Sequence, residues 1–310
     1  MPVIRIRPLV TLFASAATAV FAAIAPASAQ APGLPMWVIK DADSTIYITG
    51  TVHMLPASLK WDSEKLTKAM KDSTELWLEV PMSSDPMKSA MAMAPTLMKY
   101  AIASKPLSSL LTPEEKATLD AKIRKSELPP ETPMVVNIMK PWYATLLVGL
   151  SPLMSAGFDP AAGIDVKIAK MAEDDGDAIK GFETMEEQIK LLASGTDEEQ
   201  LEGLREALKQ TDAKIEEATK KGEVAFTAWA NGDLDTLAAY FSDALNDPAL
   251  ADSTAMDALL KNRNENWAGQ IETMLKGSGT HFIAVGAGHL VGPDSVQERL
   301  KLRGISTSRY

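Results

Sequence analysis

The sequence predicts an α/β fold: a central mixed, partly parallel sheet, flanked by helices and interrupted by a helical insertion. Three observations lead there. A β-branched run, Thr45-Ile46-Tyr47-Ile48-Thr49, precedes a helical stretch and a second apolar run, Glu75 to Val80. That strand–helix–strand order is the pattern of a parallel crossover. The middle of the chain has helical capping signals, and His281-Phe282-Ile283-Ala284-Val285 near the end reads as a buried strand. With 310 residues, 46% apolar, the chain is long enough to bury a large core.

The first segment reads as a signal peptide over residues 1–29, outside the fold. Arg5 and Arg7 supply the positive region, Leu9 to Ile24 carries no charge, and Ala27-Ser28-Ala29 fits the small-x-small cleavage rule. The mature chain then starts at Gln30 as one domain over 30–310, exported to the periplasm or secreted. No later stretch approaches a membrane span. The net charge of −10 excludes a basic nucleic-acid footprint. The absence of cysteine excludes disulfides, thiolate metal sites and cysteine nucleophiles. Imidazole chemistry must use His53, His281 or His289.

Each element has a local cause. Trp37 to Ile39 and Thr45 to Thr49 form a hairpin around Asp41-Ala42-Asp43-Ser44. Ser63 to Lys71 is helical, and Glu75 to Val80 is the next strand. A helical insertion runs from about Asp85 to Ala161. Thr112-Pro113-Glu114-Glu115 is a capping box with proline at the first helical position, and Thr184 with Glu187 and Thr196 with Glu199 repeat the spacing. Ala178 to Phe182 is a short strand. Asn231-Gly232-Asp233 separates two helices, with Asp233 capping the second. A long helix spans about Met256 to Leu275, and Ser295 to Leu302 closes the chain.

Two strands end alike. Gly50-Thr51-Val52-His53 follows the first long strand and Gly286-Ala287-Gly288-His289 the last. Glycine there allows a tight turn or a close backbone approach, and loops at the C-terminal ends of parallel strands are where α/β sheets place ligands. Two histidines and one carboxylate make the protein part of an open catalytic metal site for zinc, manganese or cobalt. Glu79, at the end of the following strand, is the candidate carboxylate. Glu75 shares its strand and face but lies nearer the other end. His281 begins a strand without the glycine turn and reads as a surface or core histidine. Met82, Met87, Met91, Met93 and Met98 lack a regular repeat and read as an adaptable apolar helix rather than a copper site. Trp142, Trp229 and Trp267 read as core.

These pieces together resemble the TraB/GumN family, whose animal relatives include the Tiki metalloproteases. The resemblance runs through Gly50 to His53, Glu79, Lys140-Pro141-Trp142, Gly163-Ile164-Asp165, Gly181-Phe182-Glu183-Thr184, Glu187-Gln188, Ala228-Trp229, Gly232-Asp233, Arg263-Asn264, Trp267 and Val285 to Gly292. It implies a fold like that of the erythromycin esterase and haem-binding ChaN-like group. It also implies a metal-dependent hydrolase, a peptidase acting on a peptide or protein, with a divalent ion held by His53, Glu79 and His289. Arg263 and Asn264 match the family's Arg-Asn pair; the guanidinium either holds a substrate carboxylate or oxyanion or pairs with a local acid. Glu183 is a candidate general base or a partner that orients a ligand, and Asp165 caps or orients its loop. The alternative on the same scaffold is a non-enzymatic protein that binds a peptide, a metal or haem.

Overall fold

A computed structural model describes residues 33–126, 128–245 and 257–310. The expected signal peptide and the first residue of the helix expected from Met256 lie outside these residues.

Strands β1 (Met36–Lys40), β2 (Ser44–Thr51) and β3 (Leu55–Pro56), helix α1 (Glu64–Asp72) and strand β4 (Glu75–Leu78) open the chain. Then come α2 (Pro86–Tyr100), α3 (Pro113–Lys125), α4 (Thr132–Asn137), α5 (Pro141–Ser155), β5 (Phe158–Asp159), α6 (Ile164–Asp175) and β6 (Ala178–Gly181). Four helices follow: α7 (Met185–Leu192), α8 (Asp197–Lys209), α9 (Asp212–Ala230) and α10 (Leu234–Leu245). A π-helical turn, Asp257–Lys261, leads into α11 (Asn262–Met274); β7 (Gly279–Gly286), α12 (Val296–Leu302) and β8 (Ser308–Arg309) complete the order.

The local signals act as expected. All three capping boxes close in both directions, at Thr112 with Glu115, Thr184 with Glu187 and Thr196 with Glu199. Asp41 Oδ1 accepts from the amides of Asp43 and Ser44 and so turns the β1–β2 hairpin. Ser63 caps α1, and Asp233 caps α10 by accepting from the amides of Asp235 and Thr236.

The main sheet is mixed, with strand order β6-β4-β7-β2-β1-β8. The four strands β6, β4, β7 and β2 are parallel, and β1 pairs antiparallel with β2 and with β8. The first crossover is therefore parallel, but β2 and β4 are not neighbours, because β7 lies between them. Its composition demands that place. Phe282, Ile283, Ala284 and Val285 are all buried, and a strand apolar on both faces is stable only in the sheet interior.

Among the described residues four apolar clusters result, two of them large. One joins the sheet to α1, α6, α9, α11 and α12 through residues such as Ile48, Leu66, Ile168, Trp229, Trp267 and Leu300. The other lies among helices α3, α4, α5 and α8 and includes Leu119, Ile123, Val136, Val148 and Leu204. Leu204 belongs to α8, so the helical layer draws on a segment beyond the insertion. Helix α2 buries none of its residues, and Met87, Met91 and Met98 are exposed. Among the described residues no helix is long and apolar enough to cross a membrane.

Candidate functional site

The strand pairing aligns the candidate residues. Gly50 pairs with Val285 and Thr51 with Gly286, so the two Gly-x-x-His loops leave neighbouring strands at the same edge. Leu78 pairs with Ala284 on one side and Gly181 on the other, which brings Glu79 and Glu183 out beside them. The Glu183 amide donates to the Glu79 carbonyl at 2.9 Å, extending the pairing past the strand ends. In sheet order, the four parallel strands β6, β4, β7 and β2 deliver Glu183, Glu79, His289 and His53.

Both motif glycines have negative or ordinary φ, so their role is close approach rather than a left-handed turn. A Cβ on Gly286 would lie 2.8 Å from Glu79 Oε1, and one on Gly50 would lie 2.2 Å from the Trp229 ring. The missing side chain at Gly286 lets its amide donate to Glu79 Oε1 at 2.7 Å.

Helix α11 closes the cluster from above the strand ends. Its Arg263 reaches three groups: Nη2 donates to Glu79 Oε2 at 2.6 Å, Nε to Glu183 Oε1 at 2.8 Å, and Nη1 lies 3.1 Å from His289 Nε2. Nη1 also donates to the Leu259 carbonyl in the π-helical turn, at 3.2 Å. The guanidinium stacks on Trp267, 4.7 Å from the ring centre. Arg263, Glu79 and Glu183 are only 12%, 11% and 14% exposed. Charges so far from solvent persist only with partners this complete.

Asn264 decides the protonation of His289. Its Nδ2 donates to the Asp294 carbonyl at 2.7 Å, which leaves Oδ1 as the acceptor 2.6 Å from His289 Nδ1. The proton therefore sits on Nδ1 and the Nε2 lone pair faces Arg263. Burial lowers the pKa of His289 to about 4, with Arg263 adding to the depression and Glu79 opposing it. The ring is neutral at physiological pH. Burial alone would raise Glu79, but positive charge on His289 when protonated, on Arg263 and on His53 outweighs it and brings the carboxyl to about 2.

His53 has a different environment. It is 64% exposed, and its Nδ1 lies 3.1 Å from Oδ2 of Asp165, in the first turn of α6. The Asp165 carboxylate raises its pKa from the ordinary 6.5 to about 9, against the opposing desolvation of the ring by the surrounding protein; Glu79 raises it further and Arg263 lowers it. The backbone ties the pair together, since the Ile164 amide donates to the Val52 carbonyl at 3.0 Å. The second oxygen of Asp165 is buried with no hydrogen-bond partner among the described residues.

Thus Glu79, Glu183, Arg263, Asn264 and His289 form one bonded cluster, with His53 close enough to feel its charges. Glu75 and His281 meet each other at the opposite end of β4 and β7, 3.1 Å apart, with Lys180 on Glu75. Sequence reasoning missed two members. Trp267 is fully buried, as a core residue should be, but its indole also donates to Glu183 Oε1 at 2.9 Å. The four-residue spacing from Arg263, which puts both on one helix face, was the available signal. Gln188 of α7 donates to Glu79 Oε2 at 3.3 Å, and no local pattern foretells that contact. Among the described residues no three His, Asp or Glu side chains are grouped so that they could hold a metal ion.

Neither a search of curated proteins nor a search of solved structures finds a match. A family model does match, over residues 35–309, and so covers the sheet, the helical layer and every member of the cluster. The chain belongs to the TraB/PrgY/gumN family.

Proposed function

We propose that the protein is an exported hydrolase, a peptidase, acting at the C-terminal edge of the parallel strands. The observation that carries this reading is the alignment of Glu183, Glu79, His289 and His53 on four adjacent strand ends, with Arg263 bound across three of them. Two acids, an arginine and a neutral histidine are gathered at the edge where α/β folds place ligands, and perturbed titratable groups cluster at functional sites.

His53 is the proton carrier in this scheme. Its ring is exposed, and Asp165 fixes Nδ1, so Nε2 is the atom presented to substrate. A water attacking the peptide carbonyl gives its proton to Nε2 of the unprotonated ring, a form that becomes abundant only towards alkaline pH because Asp165 raises the His53 pKa to about 9. The same proton then passes to the departing amine as the C–N bond breaks. Glu183 has Oε1 committed to Arg263 and Trp267, which makes it a positioning residue rather than a base.

The divalent ion implied by the resemblance would be held by His53, Glu79 and His289. As these residues stand they do not fit one. Glu79 has both oxygens engaged, by Gly286 and by Arg263, and His289 has both nitrogens engaged, by Asn264 and by Arg263. No step is therefore routed through a metal.

The test is a peptide library screen of the protein purified from the cell exterior, beside His53→Ala and Asp165→Asn. Cleavage that disappears in His53→Ala while the fold is retained supports the reading. Saturable peptide binding without cleavage replaces it with the binding-protein alternative.

A further inference from the structure

We propose that Arg263 is the resident cation of this site, and that its guanidinium and a divalent metal exclude one another. The inference rests on the same cluster as the hydrolase reading but concerns which positive charge occupies it.

The donor atoms have a cation's spacing. Glu79 Oε1 and His289 Nε2 lie 3.7 Å apart. Two ligands of one tetrahedral zinc, each about 2.1 Å from the ion, are separated by roughly 3.4 Å. The pair is therefore close to the separation that a shared ion imposes. The positive group against it is Nη1 and Nη2 of Arg263, at 3.1 Å from His289 Nε2 and 2.6 Å from Glu79 Oε2.

The guanidinium is also held from behind. Glu183 takes Nε, the Leu259 carbonyl takes Nη1, and Trp267 lies against the flat face. Rotating it away breaks several charge-assisted hydrogen bonds and leaves Glu183 buried without its cation. A metal that enters must do this work, and it would then face Arg263 across a short distance as a like charge. Conversely, removing the arginine side chain leaves two acids and a neutral imidazole, with its lone pair inward, around one vacated volume. Those are the donor types that divalent ions select.

Cobalt(II) is the probe, read by its visible absorption and by equilibrium dialysis on the full-length mature protein. Arg263→Ala is expected to bind one cobalt per chain at least about 10-fold more tightly than wild type, the smallest change by which an outer partner alters metal affinity. Adding His289→Ala should abolish the gain. Removing Arg263 alone leaves two buried acids unpaired and can prevent folding. Arg263→Ala with Glu183→Gln removes one of those acids and gives the same readout. Wild-type protein that binds cobalt stoichiometrically, with no tightening in either variant, overturns the proposal. So does a folded variant that gains no cobalt. The outcome is separable from the hydrolase reading, since cobalt binding is measured without substrate. A variant that gains the ion in a protein that cleaves nothing would leave this proposal standing and remove the other.

Discussion

The carboxamide oxygen of Asn264 lies 2.6 Å from Nδ1 of His289, and the other end of the amide is fixed on the Asp294 carbonyl. This contact selects the histidine tautomer whose Nε2 faces Arg263. Asn264 is almost fully buried, so Asn264→Ala should cost about 1–3 kcal/mol of stability by leaving a buried donor unpaired. Asn264→Asp keeps the shape and adds a charge beside Nδ1, so it should raise the His289 pKa from about 4. Denaturant melts check the first effect and histidine NMR titration the second. A His289 pKa unchanged by the aspartate would mean that the amide does not control the ring.

Acid should destabilise the fold in two windows. The folded pKa of His289, about 4, lies below its ordinary 6.5, so the unfolded chain takes up the proton first as pH falls. Stability is unaffected by this group above about pH 6.5 and declines from there towards pH 4. Glu79, lowered from 4.5 to about 2, contributes stability present above 4.5 and lost as pH falls towards 2. His289→Gln should flatten the upper window and narrow the lower one, because protonated His289 is the first of the charges that lower the Glu79 pKa. Urea midpoints measured between pH 3 and 8 decide this, and identical slopes in both proteins would refute the assignment.

His53 offers the sharpest separation of function from stability. Its ring is 64% exposed, so His53→Ala should cost no more than about 1 kcal/mol of stability, the upper range for losing a solvent-screened ion pair such as that with Asp165. Loss of the proton carrier should lower kcat/KM by about 10²–10⁴-fold. Asp165→Asn should shift the acidic limb of the pH–rate profile to lower pH, because Asp165 is the main group raising the pKa of the His53 base. A variant that loses activity only in proportion to lost folded protein would assign His53 to loop architecture.

Gly286→Ala tests close approach. Its Cβ would meet Glu79 Oε1 at 2.8 Å and weaken the amide contact that holds this carboxylate. A cost of about 1–3 kcal/mol is expected from the overpacking. Gly50→Ala should cost more, because its Cβ would meet the Trp229 ring at 2.2 Å and the Ala287 backbone at 2.9 Å, where less can give. Thermal melts of the two variants, ranked against each other, check the order.

Trp267→Phe removes the indole N–H from Glu183 while keeping an aromatic ring under Arg263. The expected loss is about 1–3 kcal/mol. Trp229→Phe is the control. Its indole nitrogen is buried with no hydrogen-bond partner among the described residues, so only packing is lost there. Equal losses in urea melts would show that the Glu183 contact adds nothing.

Local information was legible where its cause is local. The three capping boxes, the hairpin turn at Asp41 and the break before Asp233 all depend on side chains reaching backbone within three residues, and all appear where the residue types placed them. The apolar run at 281–285 announced a buried strand, and the repeated Gly-x-x-His marked two strand ends worth comparing. The partner of His53 was harder. Asp165 stood out only as a loop-orienting residue, because its link to His53 spans 112 positions and depends on the Val52–Ile164 backbone contact.

By itself, then, the sequence determined the α/β class, the main element boundaries and the residue types that meet at one sheet edge. Period, caps and turns are short-range, and the chain carries them wherever it goes. Only the tertiary structure decided that β7 lies between β2 and β4, and so that the two histidine loops are neighbours. It also decided that Arg263 stands against Glu79, Glu183 and His289. Strand order follows from burying β7 on both faces, a property of the whole core. The arginine's place follows from two acids that cannot stay charged in that interior without a cation, and a list of residues does not state which cation is nearest.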